Sequence, residues 1–145
     1  MKQQIRNTKL FLSIAMILVV FMSGCTKSTD GVDMQLVKQM IANKIWYLDY
    51  TVTGNNTRTY VGQSTYFISF LKDNTSTDSD GYKGLYSIEK WNGKIEIHIQ
   101  SQKSNGSSLE YKYAIESAGE NNLILSYILT GQTQKTKMYF TNARQ

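Results

Sequence analysis

The sequence predicts an all-β protein, an antiparallel up-and-down barrel of seven to eight short strands preceded by one short helix. Three observations carry this expectation. From Ile45 onward, apolar and polar residues alternate with a period of two, as in strands buried on one face only. Asn-Gly pairs at 92–93 and 105–106 separate such runs, and that pair suits the positive backbone angles of a two-residue hairpin turn. No connection is long enough for a crossover helix, so neighbouring strands must run antiparallel. Rolling such a meander into a barrel removes its exposed edges.

The chain divides at its only cysteine. Lys2, Arg6 and Lys9 precede an apolar run from Leu10 to Met22, and Ser23-Gly24 supplies small residues before Cys25. That order of charge, grease and small residues is the pattern of a signal peptide over 1–24. The apolar run is shorter than the roughly 20 residues that span a bilayer. Met22-Ser-Gly-Cys25 resembles a bacterial lipobox, with Met22 where the common pattern has Leu. The resemblance implies that Cys25 becomes the acylated N-terminus, carrying palmitate-type chains, of an outer-membrane lipoprotein facing the periplasm or the cell surface. Two or more acyl chains hold a protein stably, whereas one holds it marginally. Residues 25–32, small and polar, then read as a flexible tether, and 33–145 as the barrel domain.

Removing Lys2, Arg6 and Lys9 takes the 16 cations to 13 against 11 acids, a net +2 with the charges scattered. A nucleic-acid partner needs a clustered basic face, so none is expected. One cysteine allows neither an internal disulfide nor a cysteine metal cage.

Asp33 to Asn43 places Leu36, Val37, Met40 and Ile41 at helical spacing, with Asp33 as N-cap, and predicts a short helix that plugs one end of the barrel. Strands follow at Ile45–Thr53, Ser64–Leu71, Tyr82–Lys90, Lys94–Gln100, Leu109–Glu116, Asn122–Leu129 and Thr136–Asn142. Thr57–Val61 is a weaker eighth. In the first strand Trp46, Leu48, Tyr50 and Val52 share one face. Lys72 to Asp80 reads as the longest polar loop, solvated rather than calcium-binding, since its acids lack EF-hand spacing.

A short helix, then a strand opening Lys44-Ile-Trp-Tyr-Leu-Asp-Tyr, then hairpins to the end, is similar to the lipocalin-like lipoproteins of Bacteroidetes. The family signature is Gly-x-Trp, and Lys44 stands at the glycine position before Trp46. The resemblance implies that Arg144 covers Trp46 from the C-terminus.

Catalytic and metal chemistry find little support. The only histidine, His98, alternates with Ile97 and Ile99 and should face solvent. Asp49, Glu96, Glu110 and Glu116 read as surface charges, and neither Gly-x-Ser-x-Gly nor His-Glu-x-x-His occurs. No catalytic residue, metal ligand or cofactor is expected. Tyrosine carries the functional expectation: Tyr50, Tyr66, Tyr86, Tyr111, Tyr113 and Tyr127 are the candidate barrel-interior residues. Their rings and hydroxyls suit a small apolar or amphipathic ligand. The alternative partner is a protein, such as a secreted cysteine peptidase inhibited through an exposed loop at 72–81 or 54–63. An open cup would favour the ligand; an interior filled by side chains would count against it.

Overall fold

The computed structural model describes residues 30–60 and 66–142, so the expectations for the leader, Cys25 and Arg144 lie outside the described residues. Helix α1 (Asp30–Ile41) leads into β1 (Lys44–Thr53), β2 (Asn56–Thr59), β3 (Phe67–Phe70), β4 (Thr75–Asp78) and β5 (Lys83–Trp91). β6 (Lys94–Gln102), β7 (Ser108–Ala118), β8 (Asn122–Ile128) and β9 (Lys135–Thr141) complete it. Each strand pairs antiparallel with its sequence neighbours except β2 and β3, which both pair with β1, and β9 returns to β1, which closes the barrel.

The barrel has eight strand positions, because β2 and β3 lie one after the other along the same edge of β1. Tyr50–Thr53 pair with β2 and Lys44–Tyr47 with β3. The eighth position is taken by β4, which pairs Ser76 with Phe70 on one side and with Gly84 on the other. The stretch expected as a solvated loop thus contributes a wall strand. Its residues are polar because a four-residue strand paired on both sides is held by its ladder rather than by apolar side chains. Asp73 makes the entry turn by accepting from the Thr75 amide at 3.0 Å and from its hydroxyl at 2.6 Å. Asn74 adopts the positive φ that the reversal requires.

Helix α1 starts at Asp30, inside the stretch read as tether, so Asp33 is not its cap. It ends at Ile41, and Asn43 turns the chain with φ 59° in the left-handed region that terminates helices. The Asn43 amide donates to the Phe70 carbonyl at 2.6 Å, tying the helix end to β3. Ile41 is fully buried, while Leu36, expected in the same apolar stripe, is 48% exposed. Trp46 is also fully buried, and its indole N–H donates to the Ile41 carbonyl at 3.0 Å. The plug is therefore a hydrogen-bonded lid on the core. The Lys44 ammonium lies 5.4 Å from the centre of the Trp46 ring and donates to the Glu120 carbonyl at 2.6 Å. A cation-π contact on Trp46 is thus supplied from Lys44.

The core runs inward from this plug through Leu48, Ile68, Phe70, Tyr86, Ile97, Ile99, Leu123, Leu125, Met138 and Phe140. Among the described residues no buried side-chain nitrogen or oxygen lacks a hydrogen-bond partner. The hairpin at Asn92-Gly93 has positive φ at both residues, as a type I′ turn demands. The Asn105-Gly106 loop differs from the expected two-residue turn. Lys103 and Ser107 close a three-residue loop in which only Gly106 has positive φ.

Candidate functional site

One extra residue in β1 decides which way Tyr50 faces. Leu48 pairs with Phe140 and Tyr50 with Tyr139, so Asp49 is a bulge that reverses the facing of the rest of β1. Thr51 and Thr53 then oppose the inward Met138 and Thr136, while Tyr50 stands on the outer face, its ring stacked on Tyr139 at 4.3 Å. Tyr50 is therefore not an interior residue. An alternation read through Asp49 could not register the bulge, since one inserted residue moves every later side chain to the other face.

Tyr86 points inward but belongs to the core. Its ring packs edge-on against Phe70 at 5.0 Å, and its hydroxyl donates to the Leu71 carbonyl at 2.8 Å, towards the plugged end. The other four candidates gather at the end remote from α1. Tyr111 and Tyr113, two apart on β7, stack with ring centres 5.5 Å apart, and Tyr113 meets Tyr127 of β8 edge-on at 5.7 Å. The Tyr66 hydroxyl donates to Asp78 Oδ2 at 3.4 Å. Asp78 was not anticipated, although the Asp78–Gly81 pattern resembles a turn. Its Oδ1 accepts from the amides of Asp80 at 3.0 Å and Tyr82 at 2.9 Å, which fixes the β4–β5 turn. One carboxylate thereby orders the rim and orients a tyrosine.

Burial is the main cause that holds the Tyr66 and Tyr113 phenols well above their ordinary range, and neighbouring groups add to it. Asp78 is the next cause for Tyr66, and Tyr66 and Tyr111 for Tyr113. Tyr111 is raised in the same direction, by burial first and then by Tyr82 and Asp78. These phenols are neutral across the physiological range, available as hydrogen-bond donors and acceptors rather than as bases.

The space among Tyr66, Ile68, Asp78, Ile99, Tyr111 and Tyr113 is about 10 Å³, too little for even one ordered water with room to spare. Among the described residues this part of the interior is closely packed. Useful volume lies instead in its wall. β7 pairs with β8 only from Ala114 to Ala118, a register that includes a second bulge at Glu116. β8 continues to Ile128 along β9, and Ser108–Tyr113 pair with β6 alone. The two strands part towards the end remote from α1, leaving a groove of about 680 Å³. Tyr111, Tyr113 and Tyr127 form its base, Met138 its depth, and Ile128 and Leu129 its far lip. Ile128 is 59% and Leu129 50% exposed, so the lip is apolar and uncovered. Nothing in their local sequence distinguishes these two from wall residues; the parting of the strands exposes them.

On the outer face His98 lies 3.3 Å from Glu96 and 3.7 Å from Glu89, as its alternation with the isoleucines predicts. Glu116 accepts from the Ser126 hydroxyl at 2.6 Å and from the Lys135 ammonium, which holds its carboxyl below the usual range. No group of three or more metal-ligating side chains occurs among the described residues. No protein-family model matches the chain, and no curated protein matches it as a relative.

Proposed function

We propose that this is a non-catalytic, lipid-anchored binding protein of the outer membrane, lipocalin-like in kind, which takes a small apolar or amphipathic ligand in the groove between β7 and β8. The observation that carries this reading is the groove itself, about 680 Å³ with three tyrosines at its base and an exposed Ile128-Leu129 lip. Ligand sites of roughly 300–1,000 Å³ that combine aromatic walls with a few polar groups are typical for small molecules. The close packing around Tyr66 and Tyr113 counts against a ligand deep in the lumen, so the proposed binding place is the groove on its flank. There the phenol rings offer apolar contact, and hydroxyls kept neutral by burial offer hydrogen bonds without charge.

The inhibitor alternative loses much of one of its loops, since Thr75–Asp78 of the 72–81 stretch are paired on both sides. What remains free there is two tight turns.

Titration of the mature chain with laurate, followed by amide chemical shifts, tests the ligand reading. Shifts should concentrate at Glu110–Tyr113 and Tyr127–Thr130, and Tyr127→Ala should weaken binding about tenfold, the loss of one buried aromatic contact. Shifts spread over the surface, or unchanged affinity in Tyr127→Ala, would count against it.

A further inference from the structure

The free edge of β7 bears a charge pattern that fits itself. Ser108–Tyr113 hydrogen-bond to β6 on one side, and no described strand pairs with them on the other. Half of the backbone groups of such a stretch point to the unpaired side, where they offer a ladder to any extended chain. Six residues is an ordinary strand length, so the template is long enough to hold one.

Side chains select the occupant. Tyr111 and Tyr113 belong to the inner face, opposite Ile99 and Ile97, so Glu110 and Lys112 belong to the outer face, opposite Gln100 and His98. From this we infer that the β7 edge pairs antiparallel with the β7 edge of a second copy, about a two-fold axis at Tyr111. In that register Glu110 of each copy lies directly across from Lys112 of the other, giving two opposite-charge pairs, and Tyr111 faces its own counterpart. A slip of two residues would set Lys112 against Lys112 or Glu110 against Glu110, and like charges directly opposite are unfavourable. A slip of one would set inner-face residues against outer-face ones. Of the registers within two residues, the charge order favours this one.

The joined strands continue β6 and β7 outward as one sheet across the parting in the wall, and the exposed Ile128 and Leu129 lip is covered. Self-pairing is isologous, so each contact is made twice and the assembly closes at two copies. This goes beyond the ligand reading: the partner strand and a ligand would compete for one groove, and the test below uses no ligand, so the two can fail separately.

The test is disulfide trapping in the cells that make the full chain, whose only native cysteine is Cys25. Tyr111→Cys should give a non-reduced dimer well above the level of the unsubstituted chain, because opposed positions on paired strands lie about 4.5–5.5 Å apart at Cβ. Adding Glu110→Lys or Lys112→Glu turns both opposite-charge pairs into like-charge pairs and should cut the trapped dimer about tenfold. Combining the two reversals restores opposition and should recover the yield. Co-expressed copies carrying Glu110→Cys and Lys112→Cys should crosslink with each other, which leaves the tyrosines untouched. Absence of dimer in both cysteine designs, indifference to the single reversals, or no recovery in the double reversal would each overturn the pairing.

Discussion

Tyr66 and Tyr113 show how position alone can change the chemistry of one residue type. Both phenols are held up by burial, which penalises phenolate, whereas Tyr50 lies outside against Tyr139. For a group whose folded pKa exceeds its unfolded value, the folded state holds the proton more tightly. The stability linked to that proton is complete below the ordinary tyrosine pKa near 10.0 and is lost as pH rises above it. Alkaline titration should therefore show phenolate absorbance from these two residues only together with unfolding, and Tyr66→Phe with Tyr113→Phe should flatten the alkaline fall in stability. Early, unfolding-independent ionisation of both would contradict their burial. That six tyrosines were functional candidates was legible in the sequence, but which four meet was not. Tyr50 is set apart by Asp49, one inserted residue whose effect is a matter of pairing with β9, and Tyr86 by its packing on Phe70 in the core.

Strands β4 and β5 carry a second lesson at the scale of the element. Periodicity finds β5 and β6 because Tyr86, Ile88, Ile97 and Ile99 face the core in turn, but it passes over Thr75–Asp78, which bury only a serine. A short polar strand exists because its neighbours pair with it, and such neighbours are invisible to a local reading. Gly84 is where β5 and β6 approach too closely for a side chain. A Cβ there would lie 1.9 Å from the Gln100 carbonyl oxygen and 2.5 Å from Ser101 Cα, both backbone atoms that cannot swing aside. Gly84→Ala should cost about 1–3 kcal/mol, the usual range for forcing extra volume into a packed site. Equilibrium urea unfolding would measure it, and an unchanged midpoint would mean that β5 and β6 separate more easily than their contact suggests. At the helix, spacing correctly anticipated a plug, and Ile41 supplies it; its C-terminal bound is set at Asn43, where the chain turns to reach Phe70.

For the whole molecule, the closed barrel, its helix and its hairpin order follow from alternation, turn residues and the want of any long connection. The proposed address follows from Met22 to Cys25. Cys25→Ala should move the protein from the membrane fraction to the soluble fraction of cell lysates, since the acyl chains are the proposed hold on the bilayer. Unchanged fractionation would refute the lipid anchor while leaving the barrel untouched. By itself, then, the sequence determined a class of architecture, because a two-residue period and tight turns are local properties that each segment expresses wherever it sits. Only the tertiary structure decided that the space around Tyr66 and Tyr113 is closely packed, that Tyr50 faces out, and that a groove opens between β7 and β8. Those outcomes depend on two bulges and on where a ladder of hydrogen bonds stops, and registers between strands far apart in the chain have no local signature.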